Sequence, residues 1–127
     1  MLNKNSFISS ENQELKVTHL YTVEGYFTFN IKVRSGEFAG ASNFCMPKEH
    51  IICIVETFSQ MLKSLEGSCI VKDYDSDAHV VFEIGKLGHI CILGRIGGSH
   101  EDQSMKFKYT TDQTVLANIL QMFKSLL

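Results

Sequence analysis

A chain of 127 residues with 44% hydrophobic content has the size of one domain and enough apolar side chains for one core. Its formal net charge of -2 and pI near 6.2 argue against a general nucleic-acid binder, which carries a basic excess. No apolar run is long enough for a membrane helix.

Residues 1–13 read as a flexible N-terminal leader, and 14–127 as a single α+β domain. Through Glu14 the chain is polar and lacks the apolar centre of a signal peptide, so a cytoplasmic protein is expected. Leu15, Val17, His19, Tyr21 and Val23 alternate with other residues, the period of a strand, and Glu24-Gly25 offers a turn. Phe27, Phe29, Ile31 and Val33 then alternate with Thr28, Asn30, Lys32 and Arg34, as in an antiparallel sheet with one solvated face. Ser35-Gly36 is a turn signal. Glu37 to Cys45 returns as a third strand, with Phe38 and Phe44 on the same side. There Gly40, between Ala39 and Ala41, leaves room for a bulge or a close approach.

Pro47 suits the start of a helix. Ile51, Val55, Phe58, Leu62 and Leu65 follow at steps of four and three, widened by Ile54 and Met61. Lys63 and Gly67 mark the stop, which predicts a helix over 48–66. Four short strands follow, at Cys69–Lys72, Val80–Ile84, Ile90–Ile96 and Met105–Tyr109, joined through 73–77, 85–88 and 97–102. Leu116, Ile119, Leu120, Phe123 and Leu126 form one apolar stripe of a closing helix. Thr110 and Gln113 have capping-box spacing, with Asp112 near the positive helix end. No repeat and no linker stands out. The order βββ-α-ββββ-α predicts an α+β fold: an antiparallel sheet of six to seven strands with both helices packed on one face.

Little in the chain points to chemistry. Asp73, Asp75 and Asp77 have the spacing of a calcium loop, but Ala78 stands where the turn needs glycine and Ile84 where it needs glutamate. A solvated hairpin loop is the better reading. Gly94 to Gly98 is glycine-rich but leads into a strand, not the helix a phosphate cradle needs. The four cysteines, Cys45, Cys53, Cys69 and Cys91, form no C-x-x-C pair and read as reduced core or near-core thiols. No catalytic, cofactor-binding or metal-binding residue is therefore assigned. By parity, a solvated sheet face carries Arg34, His79, Glu83, His89 and Arg95, the candidate partner-binding residues. Acidic loops at 73–77 and at Glu101-Asp102 could steer a basic partner to it.

Gly88-His89-Ile90-Cys91-Ile92-Leu93-Gly94, then Met105-Lys106-Phe107-Lys108-Tyr109, then Asp112-Gln113-Thr114 opening an amphipathic helix, resembles small bacterial proteins of the WapI-like immunity family. Gly36-Glu37-Phe38-Ala39-Gly40 before Asn43-Phe44 is similar to that family's strand ahead of its first helix. The resemblance implies a non-enzymatic protein without cofactors that binds and neutralises a protein toxin domain, often a nuclease. The charge balance and the lack of a long apolar run predict no direct contact with nucleic acid or membrane, and Asp112-Gln113-Thr114 is a helix cap in this reading. Two alternatives stand beside it. One is a small ligand-binding or enzymatic domain using the polar face around His79 and His89; the other is a homo-oligomeric module, such as a homodimer.

Overall fold

The structure is a computed structural model that describes residues 6–10 (backbone only), 13–97 and 103–127. Four strands open the chain: β1 (Ser6–Ser10), β2 (Gln13–Val23), β3 (Tyr26–Ser35) and β4 (Phe38–Pro47). Helix α1 (Lys48–Ser64) follows. Then come β5 (Ser68–Lys72), β6 (His79–Ile84), β7 (His89–Gly97), β8 (Ser104–Asp112) and helix α2 (Leu116–Lys124). All neighbouring strands pair antiparallel, in the order β1-β2-β3-β4 and β5-β6-β7-β8.

The α+β class and the antiparallel pairing agree with the sequence pattern. The expected single sheet does not, because there are two four-stranded sheets. The expected order also gains a strand, since β1 lies within the stretch read as a leader and pairs with β2 from Ser6 opposite Lys16 to Ser10 opposite Gln13. The chain passes from the first sheet to the second through helix α1, which connects β4 to β5. Each half of the chain is thus a four-stranded meander followed by a helix, a structural repeat that the residues themselves do not display.

The sheets meet where β4 approaches β7 and β8. An ideal Cβ at Gly40 would lie 3.4 Å from Ile96 Cγ2 and 3.8 Å from Met105 Cβ, so the small residue expected to allow a close approach does so here. The buried Ser42 hydroxyl accepts a hydrogen bond from the Gly97 amide across this junction. The helices do not lie on one face of one sheet; both share a single core with the inner faces of both sheets. The ring of Phe123 on α2 stacks on Phe58 of α1 (centroids 5.6 Å apart). It also meets Phe29 of the first sheet (6.2 Å) and Phe82 of the second (6.4 Å) edge to face.

Both helices occupy nearly the predicted spans. In α1, Ile51, Ile54, Phe58 and Met61 are buried, Val55 and Leu62 flank them, and Leu65 turns out half exposed. The helix stops at Leu65 itself, which adopts the left-handed conformation (φ 55°, ψ 36°), before Gly67 is reached. All five residues of the predicted α2 stripe are buried. Its entry differs from the expected capping box. Thr110 stays in β8, and Asp112 Oδ1 accepts from the Thr114 amide at 2.9 Å, capping a short 3₁₀ turn over Gln113–Val115.

Candidate functional site

Strand β2 was read as one continuous alternation, and the structure interrupts it. His19 pairs with Phe29, but Tyr21 pairs with Thr28, so Leu20 is an extra residue in a β-bulge. A side-chain period of two means that one inserted residue reverses every later side chain. Leu15 and Val17 point into the core, whereas Tyr21 and Val23 emerge on the outer face, where Val23 lies opposite Tyr26. Tyr21, Val23 and Tyr26 are each 49% to 57% exposed. They line a groove of about 410 Å³ with Thr28, Asn43, Cys45, Asp73 and Asp75.

The acidic wall of this groove comes from the other sheet. Asp73, read as part of a solvated loop, is only 4% exposed. Its Oδ1 accepts from the Cys45 amide of β4 at 2.9 Å, and its Oδ2 accepts from the Ser76 hydroxyl at 2.6 Å. The Tyr74 amide returns a bond to the Cys45 carbonyl at 3.3 Å, and the Asp73 amide donates to the Ala78 carbonyl at 3.0 Å. The β5–β6 turn therefore docks on the free edge of β4. Such an edge is otherwise open to unwanted pairing. The docking fixes Asp75 beside the tyrosines. The exposed Tyr74 turns toward α1, its hydroxyl 3.2 Å from His50 Nδ1 and its ring 5.3 Å from the imidazole, edge to face.

Four of the five candidate partner residues share the outer face of the second sheet. His79 lies directly opposite Arg95, with Lys72 and Lys106 extending the same cross-strand row. Glu83 lies opposite Cys91, and His89 opposite Asp112. Arg34 is not with them: it stands on β3 of the first sheet, opposite Glu14. The parity was right, but the assumption of one sheet joined two separate faces. His79 and His89 are also far apart, because Arg95, the partner of His79, is six residues along β7 from His89, about 20 Å of extended chain. They do not converge on one pocket, and His79 Nδ1 is engaged by the Asp77 carbonyl at 2.9 Å. Gly94 holds β6 and β7 close together beside this row, since a Cβ there would overlap the His79 carbonyl.

Among the described residues, no group of three or more His, Cys, Asp or Glu side chains is placed to hold a metal ion. His100, Glu101 and Asp102, including the second acidic loop, lie outside the described residues. No described helix is long and apolar enough to cross a membrane. All four thiols are free, yet they are not all near the core: Cys53 is exposed on α1, while Cys69 is buried. The tip of the β6–β7 connection is unexpected as well. Leu87 is 94% exposed and left-handed (φ 63°), an apolar residue held out in solvent.

Two buried acids give the fold a pH limit. Burial, then the Cys53 thiol, pushes Cys69 from its ordinary 9.0 up to about 12. Burial, then Glu14, pushes Tyr109 upward too, and its hydroxyl has no hydrogen-bond partner among the described residues. In the folded state both groups keep their protons at a pH where the unfolded chain loses them. Their contribution to stability is therefore full below about pH 9 and is lost as pH rises toward about 12. Urea midpoints measured across that range should drop, and the drop should be shallower in Cys69→Ala/Tyr109→Phe.

Compared with known proteins, the chain matches no family model, no curated protein and no solved structure. The surface that sequence reasoning missed is the Tyr21–Val23–Tyr26 groove. The one signal for it in the residues is the aromatic Tyr21 continuing the alternation of Leu15 and Val17, and the bulge at Leu20 conceals its meaning.

Proposed function

We propose that this chain is an immunity-type protein, which binds a toxin domain and blocks it by occupying its surface, with no reaction of its own. The observation that carries the proposal is the exposed Tyr21–Val23–Tyr26 surface with its acidic wall at Asp75. Tyrosines supply much of the energy of protein interfaces, because a rigid amphipathic ring buries a large area at small entropic cost. Aromatic groups this exposed, side by side on a sheet, suit a partner's pocket better than solvent. Carboxylates beside them favour a basic partner, and an enzyme that cleaves nucleic acid presents basic residues to the phosphates. The resemblance to WapI-like immunity proteins points to the same role. The wide separation of His79 and His89 along the sheet favours the binding reading over a joint acid-base role.

The test is co-expression with the toxin-like product of the neighbouring reading frame. A stable complex and protection of the cell are expected. Tyr21→Ala/Tyr26→Ala should weaken binding by at least about tenfold, given the size of tyrosine hot spots. Its melting temperature should stay close to that of the parent, because both rings are about half exposed. Absence of a complex, or full protection by the double variant, would refute this assignment.

A further inference from the structure

The outer face of the second sheet carries a second, oppositely charged surface. Lys72, His79, Arg95 and Lys106 occupy one cross-strand row, one residue per strand. Arg95 and Lys106 are direct partners, and like charges directly opposite each other oppose sheet pairing. Lys72, Arg95 and Lys106 form no ion pair with a carboxylate among the described residues; Arg95 reaches the Ser104 hydroxyl, at 3.4 Å. Against a net charge of -2 for the whole chain, this row concentrates positive charge on one face. The adjacent row is Ile70, Val81 and Leu93, ending in Lys108. Between the rows over β7 and β8 lies a groove of about 470 Å³, floored by Leu93 and walled by His79, Arg95, Lys106 and Lys108.

We propose that this face binds an acidic segment of another protein, its carboxylates on the cationic row and an aliphatic side chain on the Ile70–Val81–Leu93 row. The occupant's class follows from what the two rows offer. A guanidinium and two or three ammonium groups pair with carboxylates as readily as with phosphates. Single-stranded nucleic acid is held by aromatic rings on which bases stack, and these two rows present aliphatic side chains instead. An aliphatic strip beside cations fits a peptide that alternates leucine with glutamate. This surface is separate from the tyrosine groove, so one partner can be lost without the other.

The probe is a short fluorescent peptide of alternating glutamate and leucine, measured by anisotropy against the full chain. Three controls accompany it: the same peptide with glutamine for glutamate, the same with serine for leucine, and an oligouridine of equal length. The Glu-Leu peptide should bind, weaken with added salt, and lose at least about tenfold of its affinity in Arg95→Glu/Lys106→Glu. It should bind Tyr21→Ala/Tyr26→Ala unchanged. Equal binding of the glutamine or the serine peptide, tighter binding of oligouridine, or indifference to the charge reversal would each overturn the proposal. Lys106→Gln is the check on folding. Relief of the opposed charges predicts a melting temperature no lower than that of the parent. A lower one would mean the cation serves the fold, and would also overturn the proposal.

Discussion

Phe123→Ala is expected to lower the unfolding free energy by about 3–5 kcal/mol, the usual range for removing a buried phenylalanine ring. Phe123 is fully buried and contacts Phe58, Phe29 and Phe82, one from the other helix and one from each sheet. Its removal leaves a void bounded by four separate elements. None of them can move inward to fill it without pulling away from its own sheet or helix partners. A domain of this size has roughly 5–15 kcal/mol in total, so the variant should be near its unfolding limit. Urea unfolding followed by circular dichroism provides the measurement. Phe38→Ala is the control: that ring is 70% exposed at the start of β4, and the change should stay within about 0.5 kcal/mol. Equal losses in the two variants would show that the phenylalanines do not divide into core and surface as described.

Asp73→Ala ranks second among the expected effects on stability, at about 1–3 kcal/mol. The carboxylate accepts from the Cys45 amide and the Ser76 hydroxyl. Alanine would leave the Cys45 amide without an acceptor at a partly buried site, which penalises the folded state by more than the net value of one hydrogen bond. Asparagine keeps one acceptor oxygen, so Asp73→Asn should retain part of the loss. Hydrogen exchange gives the specific readout. The Cys45 amide should exchange faster in Asp73→Ala, while the amides of β7 stay protected relative to global unfolding. Because the same turn positions Asp75, the binding proposed for the tyrosine groove should weaken further than the loss of stability alone explains.

The elements of this fold were largely legible in the residues, and their arrangement was not. Phe27 to Val33 read as a strand because sheet side chains alternate with a period of two, and the stripe from Leu116 to Leu126 read as a helix because its neighbours recur every three or four positions. Both are local properties of the chain. Which strand pairs with which is not local. Nothing in the apolar pattern of β4 or β5 says that they belong to two different sheets. Strand β1 has no periodic signal for a related reason, since a short polar segment becomes a strand through its partner, not through its own alternation.

The candidate sites divide along the same line. The parity of His79, Glu83, His89 and Arg95 was enough to place them on one solvated face, but not to exclude Arg34, which has the right parity on the wrong sheet. The tyrosine groove was illegible because it depends on one bulged residue, Leu20, which turns Tyr21 and Val23 outward. Asp73 looked like one of three solvated carboxylates until the turn was seen against the edge of β4.

By itself, the sequence determined seven of the eight strands, the two helices and most of the faces they bury, because periodicity and composition act over neighbouring residues. Tertiary structure alone decided the division into two sheets, the exposure of Tyr21 and Val23, the burial of Asp73 and the gathering of Lys72, Arg95 and Lys106 into one row. Each of these depends on register and on contacts between residues far apart in the chain, where a shift of one position reverses a face and no local pattern records it.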